Sequence, residues 1–337
     1  VPSLLSKTEY IAGVDEQRII NYKNSLNTLQ LYTHYTLTLP NEKTALKLSG
    51  NYMIEVLDKD FQTVFSRKLM IVEPLLPVQV YTRRSRNMSV ISQKQSVQFT
   101  INTAAFIIDN PTQNLHVKIL QNYRWDTTIE NIKPQYTTGY DLVYKYDSET
   151  SFWGGNEFLN FDTKDIRSSS ERIQSVQNQG DTYHTYLYPD AIRAGTPYTY
   201  YPDINGRFFV RTLQGQDSDI EAEYSWVHFT LSANKAVPDA EVHVFGAFNN
   251  YNLNDETQMF YDSATLSYKT KLYLKQGFYN YTYVLYYPDG QIDEAFLNGT
   301  HFQTENLYTV LVYFRKFGDR HDSLIGWGEG SSLYISD

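Results

Sequence analysis

The chain of 337 residues contains no cysteine. Disulfides, thiolate metal sites and cysteine nucleophiles are therefore excluded, although the compartment is not fixed by that absence. No run approaches the roughly 18 consecutive apolar residues a membrane helix needs. Positive charge is also in short supply. Lys and Arg number 29 against 38 Asp and Glu, a net charge of −9, so a nucleic acid is not an expected partner. The sequence shows no G-x-S-x-G elbow, P-loop or G-x-G-x-x-G cradle. It has neither a fixed 20–50-residue repeat nor a low-complexity run.

Aromatic residues are abundant: 30 Tyr, 18 Phe and 4 Trp, or 15% of the chain. Flat rings suit strands, where they pack on a half-buried pleated surface, and tyrosine also suits contact surfaces because its hydroxyl stays wet. Short stretches rich in Val, Ile, Thr, Tyr and Phe recur between Gly, Pro, Asn and Asp. They are Tyr32–Leu39, Asn51–Asp58, Thr63–Val72, Ser96–Asn102, Leu115–Gln121, Ser225–Leu231, Glu241–Phe245, Tyr268–Leu274, Tyr279–Tyr287 and Tyr308–Phe314. This pattern predicts an all-β protein of tandem immunoglobulin-like β-sandwiches. Pro288-Asp289-Gly290 supplies a hairpin turn before Gln291–Ala295, and Asp58-Lys59-Asp60 separates two further strands. One short helix is expected over Asp165–Val176, with Ile166, Ile173 and Val176 on one face.

Two prolines in Glu73-Pro74-Leu75-Leu76-Pro77 interrupt a strand ladder, since proline has no amide hydrogen to donate. Asn234–Asp239 is a similar break. Three blocks follow: 1–75, 76–233 and 234–337. The first holds only about three strands, which implies strands upstream of Val1 or a block that leans on its neighbour. Val1 is not Met, and no basic-then-apolar segment precedes Thr8, so these residues neither establish nor exclude secretion. The middle block carries long irregular loops, rich in tyrosine, of the kind that proteins use for binding.

Catalytic geometry is hard to find. The seven histidines form no H-E-x-x-H and no close pair in sequence. His116, His228 and His243 lie in alternating strands and read as polar residues on a wet face. Asp217, Asp219, Glu221 and Glu223 read as a solvated acidic face, and Asp203-Ile204-Asn205-Gly206 reads as a turn in preference to a calcium loop. No catalytic residue, metal or cofactor is assigned. The basic cluster Arg83-Arg84-Ser85-Arg86 is either a grip on an acidic partner surface or a solvated turn, with exposure as the arbiter. Candidate partner contacts are Arg83, Arg84 and Arg86 together with the loop aromatics Phe152, Trp153, Tyr198, Tyr200 and Tyr201.

Two resemblances bear on function. Val242–Tyr251, with its Gly246-Ala247-Phe248-Asn249-Asn250-Tyr251 turn, and the later Lys275-Gln276-Gly277-Phe278-Tyr279-Asn280-Tyr281 resemble early-set immunoglobulin-like modules related to glycogen-binding domains. In those modules exposed Trp rings stack on sugar; here Tyr251 stands at the first Trp position. The whole chain is similar to the plug-protein family of the Bacteroidetes type IX secretion system. The runs that carry the likeness include Gly13-Val14-Asp15-Glu16-Gln17-Arg18-Ile19, Asn24-Ser25-Leu26-Asn27-Thr28-Leu29-Gln30-Leu31-Tyr32, Arg86-Asn87-Met88-Ser89-Val90, Asn131-Ile132-Lys133-Pro134-Gln135-Tyr136 and Gly155-Asn156-Glu157-Phe158. Tyr201-Pro202-Asp203-Ile204-Asn205-Gly206-Arg207-Phe208 and Gln303-Thr304-Glu305-Asn306 extend it. That resemblance implies a non-enzymatic, monomeric periplasmic protein in a hetero-complex, docked at the inner face of the outer membrane under the translocon barrel, whose pore it closes. The alternatives are a carbohydrate-binding module or glycosidase accessory domain, and a structural scaffold of the envelope.

Overall fold

A computed structural model describes residues 3–333 and Ile335. Strands form where the alternating pattern places them: Gly50–Leu57, Thr63–Ile71, Lys94–Asn102, Leu115–Gln121, Tyr224–Ser232, Glu241–Phe245, Ser267–Lys275, Gly277–Tyr286 and Leu307–Phe314. The stretch Tyr32–Leu39 yields the shorter Thr33–Thr36. Among the described residues no helix exceeds four residues. The expected helix at Asp165–Val176 is absent. Its first half is turn and bend, and its second half is the strand Ile173–Asn178. The run Ser168-Ser169-Ser170 explains the failure, because short hydroxyl side chains compete for backbone hydrogen bonds and favour turns over helix interiors. The fold class is all-β, as the sequence pattern predicts.

The chain divides into two compact units. Unit one comprises the residues up to Arg18, Leu37–Trp153, and the chain from Glu305 onward; unit two comprises Ile19–Thr36 and Gly154–Thr304. This differs from three consecutive blocks. Strand pairing crosses the expected cut at 233/234 twice: Leu76–Arg84 runs parallel to Ser323–Ser331, and Leu159–Asp162 pairs with Gly277–Tyr286. Proline and polar punctuation mark where a ladder is interrupted, not which later strand completes it.

In unit one a nine-stranded sheet runs in the order Ile129–Glu130, Leu115–Gln121, Leu307–Phe314, Ser323–Ser331, Leu76–Arg84, Lys94–Asn102, Asp141–Tyr144 and Tyr136–Thr138. The short strand Ser151–Trp153 also pairs with Lys94–Asn102. Val97, Phe99, Ile101, Val117, Ile119, Tyr144, Val310 and Val312 share one core, so the two halves of the sheet face each other across it. The strand Leu307–Phe314 is buried on both faces. Leu311 and Tyr313 turn away from that core into a second cluster with Leu120 and Leu324, against which Met70, Val72 and Trp125 pack.

Unit two holds an eleven-stranded sheet with its own aromatic core. In Tyr224–Ser232 the residues Ser225, Val227, Phe229 and Leu231 point inward, while Tyr224, Trp226, His228 and Thr230 are half-exposed. Phe161 stacks on Tyr279 at 5.2 Å between ring centroids and meets Phe229 edge-on at 5.8 Å. Such pairs contribute about 0.5–1.5 kcal/mol each beyond area burial.

Candidate partner interface

The contact residues expected from the sequence fall on both units. Arg83, Arg84, Arg86, Phe152 and Trp153 belong to unit one; Tyr198, Tyr200 and Tyr201 belong to unit two.

In unit one the strand Leu76–Arg84 ends at the basic cluster, and a turn leads into Lys94–Asn102. Arg83 and Arg86 are exposed and Arg84 is half-buried. Ser85 beneath them is buried, because its hydroxyl and the Arg86 amide both donate to the Asp147 carboxylate. The Arg84 side chain is braced by its Nε, which donates to the Ile91 carbonyl at 2.8 Å. The antiparallel register sets Arg83 opposite Ser96 and, on the other edge of that strand, Ser151 opposite the same Ser96. Trp153 faces Lys94, whose ammonium lies 4.4 Å from the ring centroid. Residues about 70 apart in sequence thus meet at one strand end. Trp153 is 52% exposed. Phe152 corrects the expectation: it is 5% exposed, lies in the core and packs its ring against Tyr308 at 5.2 Å. Adjacent residues on a strand point to opposite faces, so only one of the Phe152–Trp153 pair can face solvent.

In unit two the tyrosine-rich loop is tied to the sandwich by buried polar groups. Tyr198 donates its hydroxyl to the buried Glu157 carboxylate, and burial, followed by Glu157, raises its pKa. Tyr200 and Tyr201 are exposed, with Tyr201 donating to Glu171 at 3.2 Å. The turn reading of Asp203–Gly206 fits the geometry. Asp203 accepts from the amides of Asn205 and Phe158, each at 2.6 Å, while Asn280 Oδ1 accepts from Ile204 and Gly206. Deeper in, Asp190 accepts from both Tyr281 and Tyr283 at 2.7 Å and pairs with Arg172 at 2.5 Å. Burial first, and the neighbouring Asp190 carboxylate, hold both phenols protonated.

The acidic run is not a solvated face. It anchors the hairpin formed by Asn21–Asn24 and Thr33–Thr36. Glu223, 6% exposed, accepts from the backbone amides of Leu29, Gln30 and Tyr224. Lys23 pairs with Asp217 at 3.1 Å and His34 with Asp219 at 3.6 Å. Tyr32 donates to the Ala222 carbonyl and carries the Lys275 ammonium over its ring. The outward side of the hairpin is apolar, with Ile20, Tyr22, Leu31 and Tyr35 each at least 58% exposed. Sequence reasoning missed this surface, since the intervening loop resembles neither turn nor strand.

One histidine reading also changes. His243 is 2% exposed, held between Thr257 and Glu241, not wet. His228 is half-exposed but bonded to His184 at 2.9 Å and stacked on Tyr186. Tyr251 packs on Phe245 at 5.0 Å and its hydroxyl is buried. Among the described residues no group of three or more His, Asp or Glu could hold a metal ion, and no helix is long and apolar enough to cross a membrane.

Residues 1–73 match the family described as the type 9 secretion system plug protein 1st domain. The chain is also similar to a hypothetical protein from Parabacteroides merdae ATCC 43184, known from a crystal structure. The two are 30% identical, with a TM-score of 0.93, over 98% of this chain and 84% of that one. No curated protein matches. The matched stretch ends beside the Glu73–Pro77 break, and most of the solved fold extends beyond it. The chain belongs to the type IX secretion system plug protein family.

Proposed function

We propose that this chain is a non-enzymatic plug, which binds the periplasmic opening of the outer-membrane translocon barrel and closes its pore when no substrate is being exported. The observation that carries this reading is the match of residues 1–73 to the plug protein 1st domain. Family membership gives a role in type IX secretion; closure of the pore is the finer step. A stopper needs stiff bodies and surface anchors. The two sandwich units supply the first, and Arg83, Arg84, Arg86, Trp153, Tyr198, Tyr200 and Tyr201 are the proposed anchors. Arg, Trp and Tyr are the residue types that dominate binding energy at interfaces. Release must remain possible, which favours a wet, polar contact of about 800 Å² per partner over a core-like one.

The test is genetic. Deleting the gene should make the outer membrane leaky to a normally excluded antibiotic or dye, and the leak should vanish when the translocon barrel is deleted as well. A leak that persists without the barrel points to a general envelope scaffold. No leak in the single deletion refutes the plug.

A further inference from the structure

Arg83, Arg84, Ser85, Arg86 and Ile91 frame a hollow of about 140 Å³. Its size is a first constraint: small-molecule sites usually occupy roughly 300–1,000 Å³, so this one suits a single side chain rather than a nucleotide or a sugar. Charge is the second. In a chain of net charge −9, among the described residues neither Arg83 nor Arg86 has a carboxylate partner. The nearby Asp147 carboxylate is taken up by the Arg86 amide and by the hydroxyls of Ser85 and Ser96. Lys94, in register with Trp153, adds a cation one strand away. Shape is the third. A guanidinium fork matches a carboxylate in two parallel hydrogen bonds, while Ile91 and the arginine stems offer an apolar wall to methylene groups.

The geometry points to an aspartate or glutamate side chain of a partner polypeptide as the ligand of this hollow. The identity of the partner as the translocon barrel rests on the plug reading; the carboxylate chemistry does not. A free phosphate shares the charge but has no methylene to place against Ile91.

The test uses the purified full chain at low ionic strength. The probe is the hexapeptide Gly-Ser-Glu-Glu-Ser-Gly, with its Gln-Gln counterpart and inorganic phosphate as the other arms. Trp153 fluorescence is the readout, and Trp153→Phe identifies its share of the signal. The Glu peptide should give a saturable change that weakens at least ~tenfold in R83E/R86E and also with added salt, as solvent-exposed charge pairs do. R83K/R86K should bind with intermediate strength, because it keeps the charge and loses the fork. R83Q/R86Q repeats the measurement should charge reversal disturb folding, which circular dichroism checks. An equal response to the Gln peptide, saturation by phosphate but not by the Glu peptide, or unchanged binding in the variants would each overturn the assignment. Co-purification of the barrel with the wild-type chain is scored separately. Peptide binding without the barrel sinks the plug reading alone, and the barrel without peptide binding sinks the socket alone.

Discussion

Glu223→Gln should release the Ile19–Thr36 hairpin while leaving the rest of unit two folded. The carboxylate is 6% exposed, and both of its oxygens are used: Oε2 accepts from Leu29, and Oε1 from Gln30 at 3.2 Å and Tyr224 at 2.8 Å. A glutamine keeps one acceptor oxygen and turns an NH₂ group towards a backbone amide. The charge assistance is lost as well. Hydrogen bonds to charged groups contribute about 1.5–3 kcal/mol each. Water reaches the hairpin amides once it lifts, so the lower end applies, and two affected bonds give about 3 kcal/mol. At 1.4 kcal/mol per tenfold, the open state should gain roughly a hundredfold in population. Among the remaining ties, Lys23–Asp217 and His34–Asp219 are surface contacts that add little and fade in salt, while the Tyr32 hydroxyl bond to the Ala222 carbonyl and the Lys275–Tyr32 contact are left in place. Amide hydrogen exchange is the assay. Protection should fall for the hairpin residues and stay unchanged in Tyr224–Ser232 and Ser267–Lys275. An unchanged hairpin refutes the anchoring role. Faster exchange throughout unit two refutes its local character, since Glu223 would then be holding up the sandwich itself.

Other consequences follow from particular contacts. Phe152→Ala should destabilise unit one by about 3–5 kcal/mol, because the ring fills core space against Tyr308, whereas Trp153→Ala at the exposed neighbour should move the melting midpoint far less. Asp190→Ala strips partners from Tyr281, Tyr283 and Arg172, and should cost unit two about 3–5 kcal/mol in denaturant unfolding. Burial, then His184 and Lys271, pull the His228 pKa down to about 4. Below its unfolded value of about 6.5 the unfolded chain therefore binds a proton that the folded chain refuses, and stability falls as pH drops from 6.5 towards 4. His228→Gln should flatten that part of the stability–pH curve; an unchanged slope assigns it to other groups. Gly328→Ala would set a Cβ 2.4 Å from the Val78 carbonyl oxygen, and should lower the unit-one melting midpoint by splitting the parallel pair of strands.

The strands were legible wherever two faces differ in wetness. Tyr224–Ser232 alternates because one face meets Phe161 and Tyr281 and the other meets water, so period two appears in the letters. Ser323–Ser331 escaped notice for the opposite reason. Gly326, Gly328 and Gly330 read as loop residues, yet at Gly328 and Gly330 the backbone of Leu76–Arg84 passes too close for a Cβ, and at Gly326 a Cβ would crowd Val312 and Leu76. Partner choice is likewise silent in local pattern, and the last two strands join unit one instead of their sequence neighbours. Of the candidate site, Trp153 and the arginines were recoverable from composition, since a basic cluster in an acidic chain and a loop Trp are conspicuous. Burial of Phe152 was recoverable too, had strand alternation been applied across Ser151–Trp153. Glu223 was not. A glutamate in an acidic run looks solvated, and its two donors besides the adjacent Tyr224 amide come with the return of Leu29 and Gln30 from nearly two hundred residues upstream.

That return has a consequence for what the family's first domain is. Residues 1–73 match as one stretch, but within it Ile19–Thr36 belongs to unit two while its flanks belong to unit one. A short hairpin of this kind has too little core to hold its shape alone, and its inward side is fixed by Glu223, Ala222 and Lys275. The stretch is therefore a unit of descent more than a unit of folding. A fragment cut at residue 73 should keep the pairing of Gly50–Leu57 with Thr63–Ile71 better than that of Asn21–Asn24 with Thr33–Thr36, because the latter loses every anchor it has in unit two. Chemical shifts of such a fragment decide the matter: strand-like values for residues 21–24 and 33–36 in isolation would mean that the hairpin's own sequence, and not Glu223, holds its form.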